Sequence, residues 1–187
     1  MMMMRKGLAV LTVVSLLDVP LVALAESPNA PITVPLVNPV GADKSGTQPH
    51  GLFRKVVTAR GFEIDDSRTG FHNIKAIGAT ETFPSDAPEI YVVIEFLQSA
   101  FDIFRLVGRF ILEDPGGKPV GTLLHTDKVQ FENEDMGGYF VMKRPTGGFS
   151  VGNYRVEIHY ENVTEMSLLK LAKFKVVPAA GAAGPKP

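Results

Sequence analysis

Apolar residues recur at every second position through much of the chain, and residues 154–160 show this most clearly. There Tyr154, Val156, Ile158 and Tyr160 alternate with Arg155, Glu157 and His159. A period of two places successive side chains on opposite faces of a β-strand, whereas one face of a helix repeats every 3.6 residues. This segment is therefore predicted to be a half-buried strand with its polar side chains on the outer face.

The same alternation predicts further strands along the chain. They are expected at residues 90–96, 103–113 and 172–176, with shorter ones at 54–59, 73–82, 120–125 and 138–142. Turn clusters rich in Pro, Gly and Asp separate them, at residues 84–88, 114–117 and 145–148. A helical stripe can be drawn over residues 163–173, but the turn-like residues 162–164 and the final alternation favour a strand. The expected fold is all-β, a single antiparallel β-sandwich of about seven to eight strands.

The N-terminus has the pattern of an export signal. Arg5 and Lys6 precede an apolar run over residues 8–24, and Ala23-Leu24-Ala25 fits the small-x-small pattern of a signal peptidase site. A retained anchor is the alternative, but Asp18 and Pro20 interrupt a run already at the short limit for crossing a bilayer. We expect residues 1–25 to be a cleaved signal peptide, with no retained transmembrane helix and a periplasmic or secreted mature protein.

Proline and glycine set the remaining boundaries. Five prolines punctuate residues 26–51, which predicts an extended linker, and residues 178–187 contain only Ala, Gly, Pro and one Lys, which predicts a flexible tail. The folded domain is therefore expected over residues 52–177.

The amino-acid composition excludes several kinds of functional site. The chain of 187 residues contains no Cys, which excludes disulfides, thiolate metal sites, cysteine nucleophiles and lipoprotein acylation. Its formal charge of -1 gives no basic excess of the kind that nucleic-acid binding needs, so no nucleic-acid partner is expected.

One local pattern resembles a known group of domains. A Gly-rich approach over residues 147–152 ends at Gly152 and leads through Gly-x-Tyr into the alternating strand at Tyr154. This resembles the corner before the penultimate strand of immunoglobulin-like and fibronectin-III-like domains, and in particular exported bacterial members of undefined function. The resemblance covers about residues 72–177 and implies that the Tyr154 ring enters the core while its hydroxyl bonds backbone at the corner. It also implies a core aromatic at Phe110. The missing Cys pair and core Trp depart from antibody-type domains.

The segments that resemble catalytic motifs lack the structural context or the spacing that those motifs require. Gly148-Phe149-Ser150-Val151-Gly152 has the letters of a nucleophile elbow, but that motif leads from a strand into a helix, whereas a strand is predicted after Ser150. No Gly-rich phosphate loop has the required spacing. We therefore expect no enzymatic activity and no cofactor.

A metal or small-ligand site is the alternative function. Acidic loops can bind cations through several oxygens, and the chain offers one such group with a histidine just upstream: His125, Asp127, Glu132, Glu134 and Asp135. The competing interpretation is a solvated loop with independent surface histidines.

The leading hypothesis is a non-catalytic module that binds a protein or cell-envelope partner. Its predicted binding stripe lies on the outward face of residues 103–113 and consists of Arg105, Val107, Arg109 and Ile111. Apolar residues exposed on an outer sheet face mark partner sites in many proteins. The alternative left open is that residues 53–57 cover this face.

Overall fold

The predicted alternation is realised as ten β-strands in a computed structural model. The structure describes residues 31–36, 52–65, 73–98, 100, 103–114, 116, 120–161 and 166–180, and none of these residues is helical. Accordingly, no helix in the described ranges is long and apolar enough to span a membrane. The strands are β1 (Ile32–Pro35), β2 (Phe53–Asp65), β3 (Asn73–Ala79), β4 (Thr82–Pro84), β5 (Glu89–Phe96), β6 (Phe104–Glu113), β7 (Val120–Phe131), β8 (Gly137–Lys143), β9 (Gly152–Glu161) and β10 (Met166–Val177).

The strands form two sheets that pack as a sandwich. One sheet has six strands in the order β1-β7-β6-β9-β10-β4, and the other has four in the order β3-β2-β5-β8. The chain alternates between them, so that β8 returns to pair with β5 and β9 returns to pair with β6. All pairings are antiparallel except that of β4 with β10. The predicted all-β sandwich is confirmed.

The core lies between the inner faces of the two sheets. Aromatic side chains fill much of it, with Phe96 and Phe131 in edge-to-face contact at 4.9 Å between ring centroids. At its centre Phe140 of β8 lies directly against Gly108 of β6, where a Cβ would come within 2.6 Å of the Phe140 Cγ atom. The sheets approach this closely only because position 108 carries no side chain.

Two short edge strands account for the strand count, which is higher than predicted. β1 lies inside the segment predicted as a linker, where it pairs with residues 120–123 of β7 and buries Val34. β4 has only three residues. The chain leaves β3 just after Gly78, which has a φ of +62°, and then enters β4. The linker prediction missed β1 because Pro31 precedes it and Pro35 is its last residue, yet a strand at a sheet edge tolerates proline. The predicted cleavage site at Ala23 and Ala25 lies outside the described residues, as does the tail beyond residue 180.

Three strands extend well beyond their predicted ends. β2 continues past residue 59 to Asp65. β7 continues to Phe131, which places Asp127 within a strand rather than in an acidic loop. β10 begins at Met166, so most of the segment that could be drawn as a helix is strand.

The corner predicted at Tyr154 is present. Its hydroxyl donates a hydrogen bond to the Ser150 carbonyl oxygen at 2.7 Å, while its buried ring stacks on Phe174 at 4.8 Å. Gly152 begins the strand two residues earlier, and Phe110 is fully buried in the core, as expected. The corner therefore anchors β9 at the point where the chain enters the six-stranded sheet.

Tyr154→Phe is expected to lower the free energy of unfolding by about 1 kcal/mol, because it removes one hydrogen bond and leaves the ring in place. Tyr154→Ala should cost about 3–5 kcal/mol, as other core aromatic truncations do. Urea denaturation measures both. Tyr160→Phe is the control, since that ring is partly exposed; an equal loss there would contradict the corner.

The same substitution changes the response to alkali. Burial raises the pKa of Tyr154 to about 12 from its ordinary value of 10. The folded state therefore disfavours the ionised ring, so this part of the stability is complete below pH 10 and is lost as the pH rises towards 12. Tyr154→Phe should lose less stability than the wild type over that interval. The difference between the two proteins isolates Tyr154 from Tyr91, whose pKa is also raised to about 12, chiefly by its hydrogen bond to Glu89.

Candidate binding sites

The outer face of the six-stranded sheet carries rows of charged side chains on neighbouring strands. Strand register places Arg105 opposite Glu161, Val107 opposite His159, Arg109 opposite Glu157 and Ile111 opposite Arg155. Four neighbouring strands contribute outward side chains to this surface, which we call the charged face. Its members are Arg105, Val107, Arg109, Ile111 and Glu113 of β6, Arg155, Glu157, His159 and Glu161 of β9, Lys128 of β7 and Lys173 of β10. The face includes all four residues of the predicted stripe.

The apolar members of the stripe are not available at the surface. Val107 and Ile111 are both buried beneath the level of their charged neighbours. Residues 53–57 do not cover this face, because they belong to β2 in the opposite sheet; that alternative is wrong. Contact with a partner at this face would therefore depend on its cations.

Ion pairs hold the periphery of the charged face in place. Arg105 Nη1 lies 3.0 Å and Lys128 Nζ 2.5 Å from the Glu161 carboxylate, and these two donors lower the pKa of Glu161, Lys128 more strongly. On the other side, Glu113 lies 3.3 Å from Arg155 Nε and 3.7 Å from Lys173 Nζ. Each carboxylate thus joins cations from two strands.

The centre of the face contains a buried carboxylate. Glu157 is fully buried, with its Oε2 atom 3.1 Å from His159 Nε2 and 3.4 Å from Arg109 Nη1. Its Oε1 atom and the His159 Nδ1 atom have no hydrogen-bond partner among the described residues. Two buried polar atoms therefore remain unmatched beside the contact between Glu157 and His159.

His159 departs from the interpretation of the histidines as independent surface residues. It is buried and paired with Glu157. The alternation shows that both residues face outward, but it does not show that Arg109 on another strand lies beside them. Charge matching between the outward positions of β6 and β9 is the signal that could have found this cluster.

The charged face is positive although the chain is not. Five cations (Arg105, Arg109, Lys128, Arg155 and Lys173) stand against three carboxylates (Glu113, Glu157 and Glu161), which leaves +2 on a chain whose formal charge is -1. This set of residues therefore carries a net positive charge on a chain that is slightly negative as a whole.

The residues proposed as an alternative metal site are not gathered around one point. His125 is exposed on β7 with its ring 5.8 Å from Phe110, and Glu134 sits in the connection to β8 with a φ of +79°. Asp135 Oδ2 accepts the Glu132 backbone N–H at 2.8 Å, and Asp127 Oδ2 accepts that of Val141 at 2.9 Å. Within the described ranges, no three His, Asp or Glu side chains form a group that could hold a metal ion.

A second surface feature lies at the side of the sandwich. The β2–β3 hairpin folds over the outer face of β5 and β8, where Phe62 stacks on Tyr139 at 4.0 Å and Ile74 occupies the space beside Gly137. A groove of about 440 Å³ lies between this hairpin, β7 and β8. Its walls consist of Ile64, Asn73, Ile74, Asp127, Val129, Gln130, Phe131, Asp135, Gly137, Gly138, Tyr139 and Val141. The sequence did not predict this groove, because nothing in the alternation indicates that the hairpin bends.

Comparison of the chain with known protein families and with curated proteins finds no match.

Arg109→Met is expected to lower the free energy of unfolding by about 1–3 kcal/mol, because it removes a charged hydrogen-bond donor from a buried carboxylate. Arg54→Met is the matched control. Its guanidinium lies 2.7 Å from Glu95 but is 63% exposed, so its loss should cost about 1 kcal/mol or less.

A double-mutant cycle assigns the effect to the pair. The double variant Arg109→Met/Glu157→Gln should lose less stability than the sum of the losses in the two single variants. The difference should be about 1 kcal/mol or more, because the neutral amide no longer needs a cation. Chemical denaturation of the four proteins gives the coupling energy. Simple additivity would show that Arg109 does not stabilise Glu157.

Proposed function

We propose that the chain is an exported, non-catalytic interaction module whose charged face binds an acidic segment of a protein partner in the cell envelope or outside the cell. The observation that supports this most directly is the excess of +2 on the charged face of a chain with overall charge -1. Complementary potential steers such a partner towards the face and fixes its orientation.

The geometry of the face suits carboxylates. The side chains of Arg105, Lys128 and Lys173 are 49%, 53% and 62% exposed, so their donors remain reachable while their ion pairs limit their motion. The Arg109 side chain is less exposed, at 24%, and its guanidinium forms an ion pair with the buried Glu157 carboxylate. Arginine held in this way presents its remaining N–H groups to an incoming carboxylate with little loss of side-chain freedom.

The strand pairing supports a more specific fold within the β-sandwich class. We infer an immunoglobulin-like or fibronectin-III-like sandwich from the crossed pairing of β5 with β8 and β6 with β9, together with the Tyr154 corner. Many cell-surface and exported domains share this architecture, and fold alone does not determine function.

The position of β1 is compatible with export. Cleavage after Ala25 would leave residues 26–31 before β1, so the signal could be removed without disturbing the pairing of Ile32–Pro35 with β7. A non-catalytic role is supported at Ser150, which is followed by strand β9 and so lacks the strand-to-helix turn of a nucleophile elbow.

The experiment is affinity capture with mild crosslinking from an envelope fraction of the source cells. The bait is the tagged chain exported by a secreting host, with its N-terminus determined by mass spectrometry. The test variant combines Arg105→Gln, Lys128→Gln and Lys173→Gln, which removes three cations while leaving Arg109 on Glu157. The control removes three exposed cations of the four-stranded sheet by Arg54→Gln, Lys55→Gln and Lys143→Gln.

A partner should be captured by the wild type and the control, fall at least about tenfold with the test variant, and weaken as salt is added. Equal capture by both variants would contradict the charged face as the binding site. A mature chain that begins at Glu26 is expected. A chain that retains Arg5 and Lys6 and partitions with membranes would contradict a cleaved export signal.

A further inference from the structure

The groove between the β2–β3 hairpin, β7 and β8 has an apolar interior with acidic residues on its walls. Ile74, Val129 and Phe131 are among its apolar lining residues, and Asp127 and Asp135 provide the charge. Asp127 belongs to β7 and Asp135 to the connection between β7 and β8, so the strand and the loop place the two carboxyl groups on the same groove.

Backbone hydrogen bonds fix one oxygen of each carboxylate. Asp127 Oδ2 accepts from the Val141 N–H, and Asp135 Oδ2 accepts from the Glu132 N–H. The bond at Val141 also satisfies a donor on the outer edge of β8. In each case the second oxygen remains available, because a carboxylate has two acceptor atoms.

No side-chain cation neutralises these carboxylates in the described part of the chain. Neither Asp127 nor Asp135 forms an ion pair there with Lys, Arg or His. Lys128 is adjacent to Asp127 in sequence, but alternation directs it to the other face of the sheet, where it pairs with Glu161. Among the described residues that line it, the groove therefore has two negative charges beside apolar walls.

We propose that this groove binds a small organic cation, a protonated amine attached to an apolar body. The ammonium group would donate to the free oxygens of Asp127 and Asp135, and the body would pack against Ile74, Val129 and Phe131. A volume of about 440 Å³ lies within the range of small-molecule sites. An anionic ligand would be repelled, and a neutral one would leave the charges uncompensated. This site is separate from the charged face, so it stands or falls independently of the protein-binding proposal.

Tryptamine is a suitable probe because the chain contains no Trp, so all indole fluorescence comes from the ligand. Titration of the full chain with tryptamine should give a saturable shift of the emission to shorter wavelength. Tryptophol, which replaces the amine by a hydroxyl group, should bind at least about tenfold more weakly, and indole-3-propionate should not bind.

Asp127→Asn and Asp135→Asn should each weaken tryptamine binding about tenfold. Both retain an oxygen that can accept the backbone hydrogen bond, so thermal melting should show that the proteins remain folded. Asp86→Asn, in the turn before β5, removes an exposed carboxylate that does not line the groove and should leave binding unchanged.

Three results would overturn the proposal. Equal affinity for tryptamine and tryptophol would show that charge is not recognised. Unchanged binding by both folded Asn variants would place the ligand elsewhere. No binding of tryptamine at about 10 mM would exclude a small organic cation as the occupant.

Discussion

The contact between Phe140 and Gly108 sets how closely the two sheets approach. A Cβ at position 108 would lie 2.6 Å from the Phe140 ring, so the ring can pack there only against a glycine. The sequence neighbours of these two residues belong to the two candidate sites. Val107 and Arg109, on either side of Gly108, belong to the charged face, whereas Tyr139 and Val141, on either side of Phe140, line the groove. Gly108 is also paired with Asp127 across the β6–β7 register.

Alternation along the strands gives the two sites opposite character. On β7, Lys128 points outward to Glu161, while Asp127 points towards β8 and caps the Val141 N–H. The charged face therefore gains a cation from the same strand that supplies a carboxylate to the groove. This separation of charge explains how a chain with formal charge -1 presents both a positive face and a negative groove. We propose an acidic protein segment as the partner of the positive face and a small cation as the ligand of the groove.

Much of the fold could be predicted because periodicity depends on local sequence. The strand containing residues 154–160 and the Tyr154 corner were both predicted, since each rests on residues close together in the chain. The burial of Glu157 and its contact with Arg109 were not, because they depend on the register of β6 against β9, 48 residues away. The groove depends on a bend of the β2–β3 hairpin that no local pattern indicates. β1 was not predicted, because prolines usually indicate an irregular segment although an edge strand tolerates them.

The most direct measurement of this account compares the stability of Gly108→Ala with that of Gly61→Ala. Gly108→Ala is expected to lower the free energy of unfolding by about 1–3 kcal/mol, because the added methyl group forces Phe140 out of place. Gly61 also lies in a strand, but a Cβ at that position would meet no atom within 4 Å, so Gly61→Ala should be neutral or slightly stabilising. Phe140→Leu should recover part of the loss in Gly108→Ala. Equal stabilities for the two alanine variants would show that the sheets do not depend on this contact.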